Sequence, residues 1–416
     1  MFENMEDLQL KAKEITRFLR KAFFDKEPVL SETPEEPFYF HVYTAGGQVP
    51  IFVLDTVPCD RFARGFCTPC AFSQYPLINS SDHYSNLEKQ VDYIIDHANE
   101  LMIDRQPDMD AMFSLPKKFE APMYVLQLGG TSSFFRDQEI PSNYRQMILR
   151  KLSEFADDRE VNLQVILETR AEHVLDSAYS GELESLASEF QHLNLTNLFG
   201  FESRDEWVRN VLYDKDLNIA DFEAAIEVSK KNGIHTYAFV FAGLHSMNSQ
   251  EIISDVDASV EYLHSRDVIP IVMLANIQPY TIPHILYSED RYNLLDCKTL
   301  ISIMDNLIKR DKPAQGFEHN WFIGGLQADP KPLHTLFDDP ESGSCQSCID
   351  QTTSALLELK QTYDSEMFER STRSVKECSC SVSVDCNGTL EQRFSEDLEF
   401  ADVIKEKYVE RQNAIK

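Results

Sequence analysis

The chain has 416 residues, with 39 Lys plus Arg set against 69 Asp plus Glu, for a formal net charge of −30. A surface this acidic repels phosphate backbones, so nucleic-acid binding requires a local basic patch or a partner subunit. Hydrophobic residues make up 43% of the chain, enough for one large domain with appendages, and no long low-complexity run argues for disorder.

In chain order, an amphipathic helix is expected over about Glu6 to Phe24, with Leu8, Ile15, Phe18, Leu19 and Phe23 recurring at helical spacing. Its cations (Lys11, Lys13, Arg17, Arg20, Lys21 and, beyond it, Lys26) read as a solvated helix face or as the one local basic patch. An acidic, proline-containing link follows at Glu32 to Pro37. Six strand-like runs then come: Phe52–Asp55, Met123–Leu128, Leu163–Glu168, Asn197–Glu202, Thr236–Ala242 and Ile269–Ala275. Helical patterns lie around them at Asn86–Met102, Asn143–Phe155, Gly181–Phe190, Arg204–Leu212, Ile219–Asn232 and Gln250–Ser265. Asp221 and Ser249 fit N-cap or first-turn positions, and Gly233 fits a C-cap. Residues 104–118 read as an insertion, Trp321–Leu326 as a last strand, and Ser395–Lys416 as a terminal helix with few obligatory contacts. Repeated strand–helix alternation predicts a parallel α/β sheet, either open or curled into a partial barrel. The expected units are residues 1–48 (lead-in helix), 49–328 (catalytic domain) and 329–416 (cysteine-rich extension).

No apolar stretch approaches the ~20 residues a membrane helix needs. The N-terminus MFENMEDLQLKAKE lacks the charged-then-apolar order of a signal peptide. The expected location is the cytoplasm, where nine cysteines are more readily free or metal-bound than paired.

The cysteines carry the chemistry. After the first predicted strand the chain reads IFVLDTVPCDRFARGFCTPCAFS, placing Cys59, Cys67 and Cys70 in one loop with C-x7-C-x2-C spacing. Three thiolates from one loop can hold three irons of a cubane and leave the fourth open for an amino-acid chelate. A zinc site completed by His41 or His83 is the competing reading. Further on, Cys345 and Cys348 form CQSC, Cys378 and Cys380 form CSC, and Cys386 follows. Four of these thiolates suit a structural zinc or an auxiliary iron–sulfur cluster, and the spacing leaves both open. Cys297 reads as a buried core residue.

The three-cysteine loop after the first strand resembles the radical S-adenosylmethionine (radical SAM) superfamily, and its C-x7-C-x2-C form is similar to the archaeosine-synthesis (RaSEA-like) branch. That likeness continues through LGGTSSFFRDQEIPSNYRQMIL after the second strand, ILETRAEHV after the third and FGFESRDEWVRN after the fourth, spanning about residues 50 to 280. The resemblance implies a partial (β/α)6 TIM-like barrel with an N-terminal helix and a cysteine-rich C-terminal extension. It implies a [4Fe-4S] cluster on Cys59, Cys67 and Cys70, with S-adenosylmethionine as cosubstrate and an electron donor of flavodoxin or ferredoxin type. Gly129, Gly130 and Thr131 stand where the superfamily binds the methionine amine, Thr131 replacing the glutamate often found there. Glu168 and Arg170 match positions suited to ribose hydroxyls and to the methionine carboxylate. Phe72 stands near the last cysteine, either beside adenine or in the core. Glu202 ends the fourth strand, as a site residue or as half of a structural pair with Arg209. Asn276, Gln278, Tyr237, His245 and Tyr280 are further candidates for the cavity. No hydrogen-atom donor is named.

The implied activity is reductive cleavage of S-adenosylmethionine to methionine and a 5′-deoxyadenosyl radical, which abstracts hydrogen from a substrate. In the RaSEA-like branch the substrate would be a lysine-bearing 7-deazaguanine in tRNA, modified together with a partner transferase. The charge of −30 favours a small-molecule or peptide-like substrate over tRNA. A non-catalytic zinc-binding scaffold is the alternative of a different class.

Overall fold

In a computed structural model, the residues described are 5–24, 36–44, 47–70 except 58, 84–98 except 85, 123–310 except 130, 131, 276 and 293, 322–324, 344–380 except 363 and 364, and 387–414. Eight strands form one sheet in the order β1 to β8, so every strand neighbours its predecessor in sequence. β1 (Phe38–Thr44) and β2 (Gly47–Val53) pair antiparallel as a hairpin. From β2 onward all neighbours are parallel: β3 (Met123–Leu128), β4 (Asn162–Thr169), β5 (Asn194–Glu202), β6 (His235–Ala242), β7 (Ile269–Leu274) and the short β8 (Phe322–Gly324). The edge strands β1 and β8 approach within 8 Å between Cα atoms, so the sheet curls into an incomplete barrel.

All six expected strands are present and parallel. The first begins earlier, at Gly47, and β1 is an addition: FYFHVYT alternates too weakly between faces to announce itself. The expected last strand is present as β8.

Helices alternate with these strands as parallel connections require. They are α1 (Met5–Phe24), α2 (Asp60–Ala63), α3 (Leu87–Asp96), α4 (Ser142–Arg159), α5 (Ala171–Tyr179), α6 (Glu182–Glu189), α7 (Ile219–Lys231), α8 (Ser249–His264), α9 (Ile282–Ser288), α10 (Cys297–Arg310), α11 (Gln346–Thr362), α12 (Ser365–Glu377) and α13 (Leu390–Ala414). One π-helical turn spans Val208–Leu212, where a longer α-helix from Arg204 was expected. The caps of α7 and α8 are Asn218 and Asn248 rather than Asp221 and Ser249, which fall in the first turns. Asn248 and Glu251 form a capping box, each side chain accepting the other's backbone N–H. Gly233 follows α7 at φ +71°, the C-cap role expected of it.

The two faces of the curled sheet differ. Leu163, Val165 and Leu167 of β4, Leu195, Phe199 and Phe201 of β5, and Ala238, Val240 and Ala242 of β6 pack into the core shared with the helices. The alternate positions turn to the barrel interior and mix polar residues with apolar ones such as Ile166 and Leu198. Gln127 Nε2 donates to Glu168 Oε2 at 3.4 Å, and Gln164 Nε2 donates to Thr196 Oγ1 at 3.1 Å and to the Tyr237 hydroxyl at 3.0 Å. These bonded polar groups line part of the lumen of the barrel.

A second core lies beyond the C-terminal strand ends. Leu8, Ala12, Ile15 and Leu19 of α1 pack with Phe394, Leu398, Ala401 and Tyr408 of α13 and with Ile282, Ile285 and Leu286 of α9. The loop residues Leu212, Tyr213, Leu244 and Tyr280 complete it, so α1 and α13 roof this end of the barrel. The expectation that Ser395–Lys416 has few obligatory contacts is therefore corrected. Leu398 and Ala401 are fully buried, because α13 lies along the apolar stripe of α1, together with α9 and the π-turn. Among the described residues, no helix is long and apolar enough to cross a membrane. The expected insertion at 104–118 lies outside the described residues.

Candidate functional site at the C-terminal rim

The chain leaves β2 at Val53 and enters the cysteine loop at the C-terminal strand ends, the end at which α/β barrels assemble sites. Cys59 stands at the N-cap of α2, its carbonyl accepting from Phe62 N at 3.1 Å. Cys67 takes a positive φ of 56° and closes a turn to Cys70, whose N–H donates to the Cys67 carbonyl at 2.9 Å. The backbone N–H groups of Cys67 and Thr68 donate to the carbonyls of Asp214 and Tyr213, each at 3.0 Å, and the Thr68 hydroxyl donates to the Leu212 carbonyl at 3.0 Å. The loop is thereby fastened to the segment after β5.

Its other side is held by α1. The buried Arg20 guanidinium donates to the carbonyls of Cys67 and Cys70, each at 3.0 Å, and to that of Phe62. It also lies 3.9 Å from the centre of the Phe62 ring. Burial lowers the Arg20 pKa, while Cys70, Cys67 and Cys59 all oppose that shift, so all three thiols lie within electrostatic reach of one cation. Gly65, at φ +84°, allows α1 to approach: a Cβ there would stand 2.7 Å from Arg17 Cγ and 2.9 Å from the Lys13 carbonyl.

Of the α1 cations, Lys11, Lys13, Arg17 and Arg20 are thus engaged within the chain, and Lys21 is exposed. Lys13 pairs with Asp214 at 3.3 Å, Arg17 donates to the Arg64 carbonyl at 2.8 Å, and Lys11 pairs with Asp402 at 2.5 Å. Lys26 lies outside the described residues.

The D-x-E-I-P-x-x-x-R run after β3 supplies the third wall. Glu139, 1% exposed, accepts from Ser133 N–H and, at 3.2 Å, from Asp60 N–H, and it pairs with Arg136 at 3.0 Å. One carboxylate therefore ties the turn after β3 to the start of α2. Burial raises its pKa against those donors. The Cys59 thiol is pushed up to about 12 by burial, with Glu139 and Cys67 adding to it. Cys59 Sγ, Asp60 and Glu139 lie within 4.8 Å of one another.

Gly129 ends β3 where the lumen side chain of Glu168 crosses it. A Cβ at 129 would stand 2.3 Å from Glu168 Cβ and 2.9 Å from its Oε2. Gly130, Thr131, Phe72 and Asn276 lie outside the described residues, as do the side chain of His41 and all of His83.

Arg170, matched by the resemblance to the methionine carboxylate, stands at the N-cap of α5. It pairs with Glu172 and donates to the carbonyls of Lys215 and Asp216 at 3.2 and 2.9 Å. Its charge still lies near Cys67 and Cys59.

Of the two readings left open for Glu202, the pair with Arg209 is not formed. Arg209 sits in the π-turn, which swings its guanidinium back onto the carbonyls of Ser203, Arg204 and Leu217. Glu202, at φ +69° and 4% exposed, is bonded instead by Lys215 Nζ at 2.6 Å. Burial lowers the Lys215 pKa, but Glu202 and then Cys67 outweigh it and raise the ammonium above its usual range.

Three cavity candidates also move. Tyr237 lies early in β6, deep in the lumen and away from the rim. His245 is fully buried among Tyr292 and Phe394 in the roof. Tyr280, 4% exposed, packs in that roof against Tyr408.

Residues that sequence reasoning passed over are Arg20, Glu139, Asp214 and Lys215. The signals were faint: Gly200, whose Cβ would stand 2.0 Å from Lys215 Nζ, and the YDKD run after the π-turn.

A half-barrel of parallel strands with a three-cysteine loop pinned at its C-terminal rim resembles the radical SAM class. Archaeosine synthase subunit beta from Methanosarcina acetivorans is 23% identical over 202 residues, covering 48% of this chain and 56% of that protein. An uncharacterized protein of Methanocaldococcus jannaschii is 25% identical over 212 residues, 50% of each chain. Coproporphyrinogen III oxidase from Escherichia coli, a radical SAM enzyme, aligns with 70% of this chain and 54% of its own at a TM-score of 0.34 and 12% identity. No family model matches. The chain spans about half the length of the curated relatives it matches.

Proposed function

We propose that this chain is a radical SAM enzyme whose Cys59, Cys67 and Cys70 hold a [4Fe-4S] cluster. The observation that carries the reading is the fastening of one three-cysteine loop between Arg20 and the 212–214 carbonyls at the C-terminal rim of the barrel. The residues fit the group. One buried guanidinium donates to the carbonyls of Cys67 and Cys70 and lies within electrostatic reach of all three thiols, and soft thiolates suit iron–sulfur chemistry.

When bound, such a cluster supplies an electron that cleaves S-adenosylmethionine reductively. The chain's own part is binding, orientation and exclusion of water. Gly129, with no Cβ, lets the Glu168 side chain cross the end of β3. Glu168, at the lumen mouth, accepts ribose hydroxyls. Arg170 and Lys215, whose charges both act on Cys67, supply the positive field for the methionine carboxylate. Gly130, Thr131 and Phe72 complete the pocket in this reading. The α1 and α13 roof closes the radical off from solvent.

The substrate class this reading favours is a small or peptide-like molecule. Net charge is −30, and Lys11, Lys13, Arg17 and Arg20 are bonded within the chain. The second reading, tRNA modification, is favoured by the likeness to archaeosine synthase subunit beta. An electron donor of flavodoxin or ferredoxin type completes the proposal.

The test is anaerobic incubation with dithionite and S-adenosylmethionine. Formation of 5′-deoxyadenosine by the wild type and its loss in Cys67→Ala support the reading. Product formation unchanged in Cys67→Ala, or none from an iron-loaded wild type, overturns it. A tRNA-binding titration across a salt series separates the substrate classes, because phosphate contacts give a steep negative salt slope.

A further inference from the structure

The C-terminal cysteines come together far along the chain from the rim loop. Cys345 and Cys348 flank the first turn of α11, and Cys378 and Cys380 follow the last turn of α12. The two helices pack side by side, so the N-terminus of one meets the C-terminus of the other. All four Sγ atoms lie within 4.8 Å of one another. Cys345 Sγ stands 3.9 Å from Cys378 Sγ, and Cys380 Sγ stands 3.5 Å from Cys348 Sγ.

These separations select among metals. Four thiolates about 2.3 Å from one ion at the corners of a tetrahedron stand about 3.8 Å apart. Thiolates on four different irons of a cubane must stand farther apart, because the cluster itself separates them. The observed sulfur–sulfur distances are those of a single tetrahedral ion. Among divalent ions, a closed four-thiolate site takes zinc ahead of iron on affinity order, and zinc imposes no competing geometric preference.

We infer that Cys345, Cys348, Cys378 and Cys380 form a structural zinc site that staples the α11–α12 hairpin. The site is closed, with four protein ligands and no open position, so its role is structural rather than catalytic. Its position agrees. Cys348 is 3% exposed and joins the main core together with Ile349, Leu356, Phe368 and Val375. The preceding residue, Ser344, accepts the Cys297 N–H at 3.1 Å, tying the site to the start of α10. Cys297 is buried beside the group and lies outside the set of four. Binding converts the thiols to thiolates and releases their protons to solvent.

The test uses the full chain, purified from zinc-supplemented medium, with Cys59, Cys67 and Cys70 replaced by Ala so that the rim loop contributes no metal. The expected result is one zinc per chain by mass spectrometry and four sulfur neighbours at about 2.3 Å by zinc X-ray absorption. Adding Cys378→Ser is expected to cut zinc content at least tenfold. Should that variant fail to fold, cobalt replacement in its parent keeps the test decisive, because tetrathiolate cobalt has a distinctive charge-transfer spectrum. Iron at this site, disulfides joining 345 to 378 and 348 to 380, or zinc retained in Cys378→Ser overturns the inference. Because the rim cysteines are absent throughout, none of these outcomes bears on the radical SAM reading.

Discussion

Lys215 Nζ lies 2.6 Å from Glu202 Oε1 in space that exists because residue 200 is glycine. Both side chains are buried, at 14% and 4% exposed, and both sit on the lumen side of the rim near Cys67. Lys215→Met leaves the Glu202 carboxylate without its buried counter-charge. Breaking such a pair costs about 3–5 kcal/mol, so a clear drop in thermal midpoint is expected. Gly200→Ala acts on the same pair from the other side, displacing the flexible end of Lys215 rather than backbone. It is expected to weaken S-adenosylmethionine binding with a smaller loss of stability. Calorimetry on both variants checks this, and a Lys215→Met protein as stable as the wild type would refute the pairing.

The Arg145 side chain is 1% exposed and forks onto Glu182, with Nε to Oε1 at 2.9 Å and Nη2 to Oε2 at 2.6 Å, while Nη2 also reaches Asp137. This arginine ends the D-x-E-I-P-x-x-x-R run, so the motif's outer residues form a clamp that frames Glu139. Arg145→Met is expected to cost about 3–5 kcal/mol by stranding Glu182, and Arg145→Lys to recover only part, since an ammonium cannot fork. Urea midpoints at unchanged slope measure it.

Burial holds His245 neutral and pushes its pKa down to about 3. Unfolding restores the ordinary value of about 6.5. Below pH 6.5 the unfolded chain therefore takes up a proton that the folded chain refuses until about pH 3. Stability contributed by the neutral ring is full above pH 6.5 and falls as pH drops, by at most about 1.4 kcal/mol per unit. His245→Phe is expected to flatten this part of the stability curve. Asp255, raised to about 7 by burial, works in the opposite sense. It stabilises below its unfolded pKa and loses that contribution as pH rises toward 7, so the comparison must be made between variants at each pH. An acid limb unchanged in His245→Phe would contradict the assignment.

Arg20 is expected to act on the loop in two ways. It holds the carbonyls of Cys67 and Cys70, and it places a buried positive charge within electrostatic reach of the thiols. Arg20→Met is expected to lower iron retention after reconstitution and to shift the cluster potential negative, because an anionic cluster loses a nearby cation. Arg20→Lys is expected to restore the potential more than the retention. A potential identical in all three proteins would rule out the electrostatic part.

The barrel strands were legible because each is a short β-branched or aromatic run bounded by turn residues, and parallel pairing follows from the intervening helices. The hairpin strand β1 was not, since FYFHVYT shows no clean two-residue period. The cysteines were legible by spacing alone. Their supports were not, because Arg20, Glu139 and Lys215 act across 47, 79 and 13 residues of sequence respectively. The Arg209 expectation failed for a local reason: a π-turn rotates that side chain away from Glu202, and no simple period announces such a turn. The four C-terminal cysteines were visible as a set, while the choice of metal waited on the distances between sulfurs.

The most direct measurement of the central claim is electron paramagnetic resonance of the reduced, iron-reconstituted chain with and without S-adenosylmethionine. The account predicts a [4Fe-4S] signal in the wild type that changes on adding S-adenosylmethionine, because one iron is open, and no such signal in Cys67→Ala. A wild-type signal indifferent to S-adenosylmethionine, or the same signal in Cys67→Ala, would contradict it.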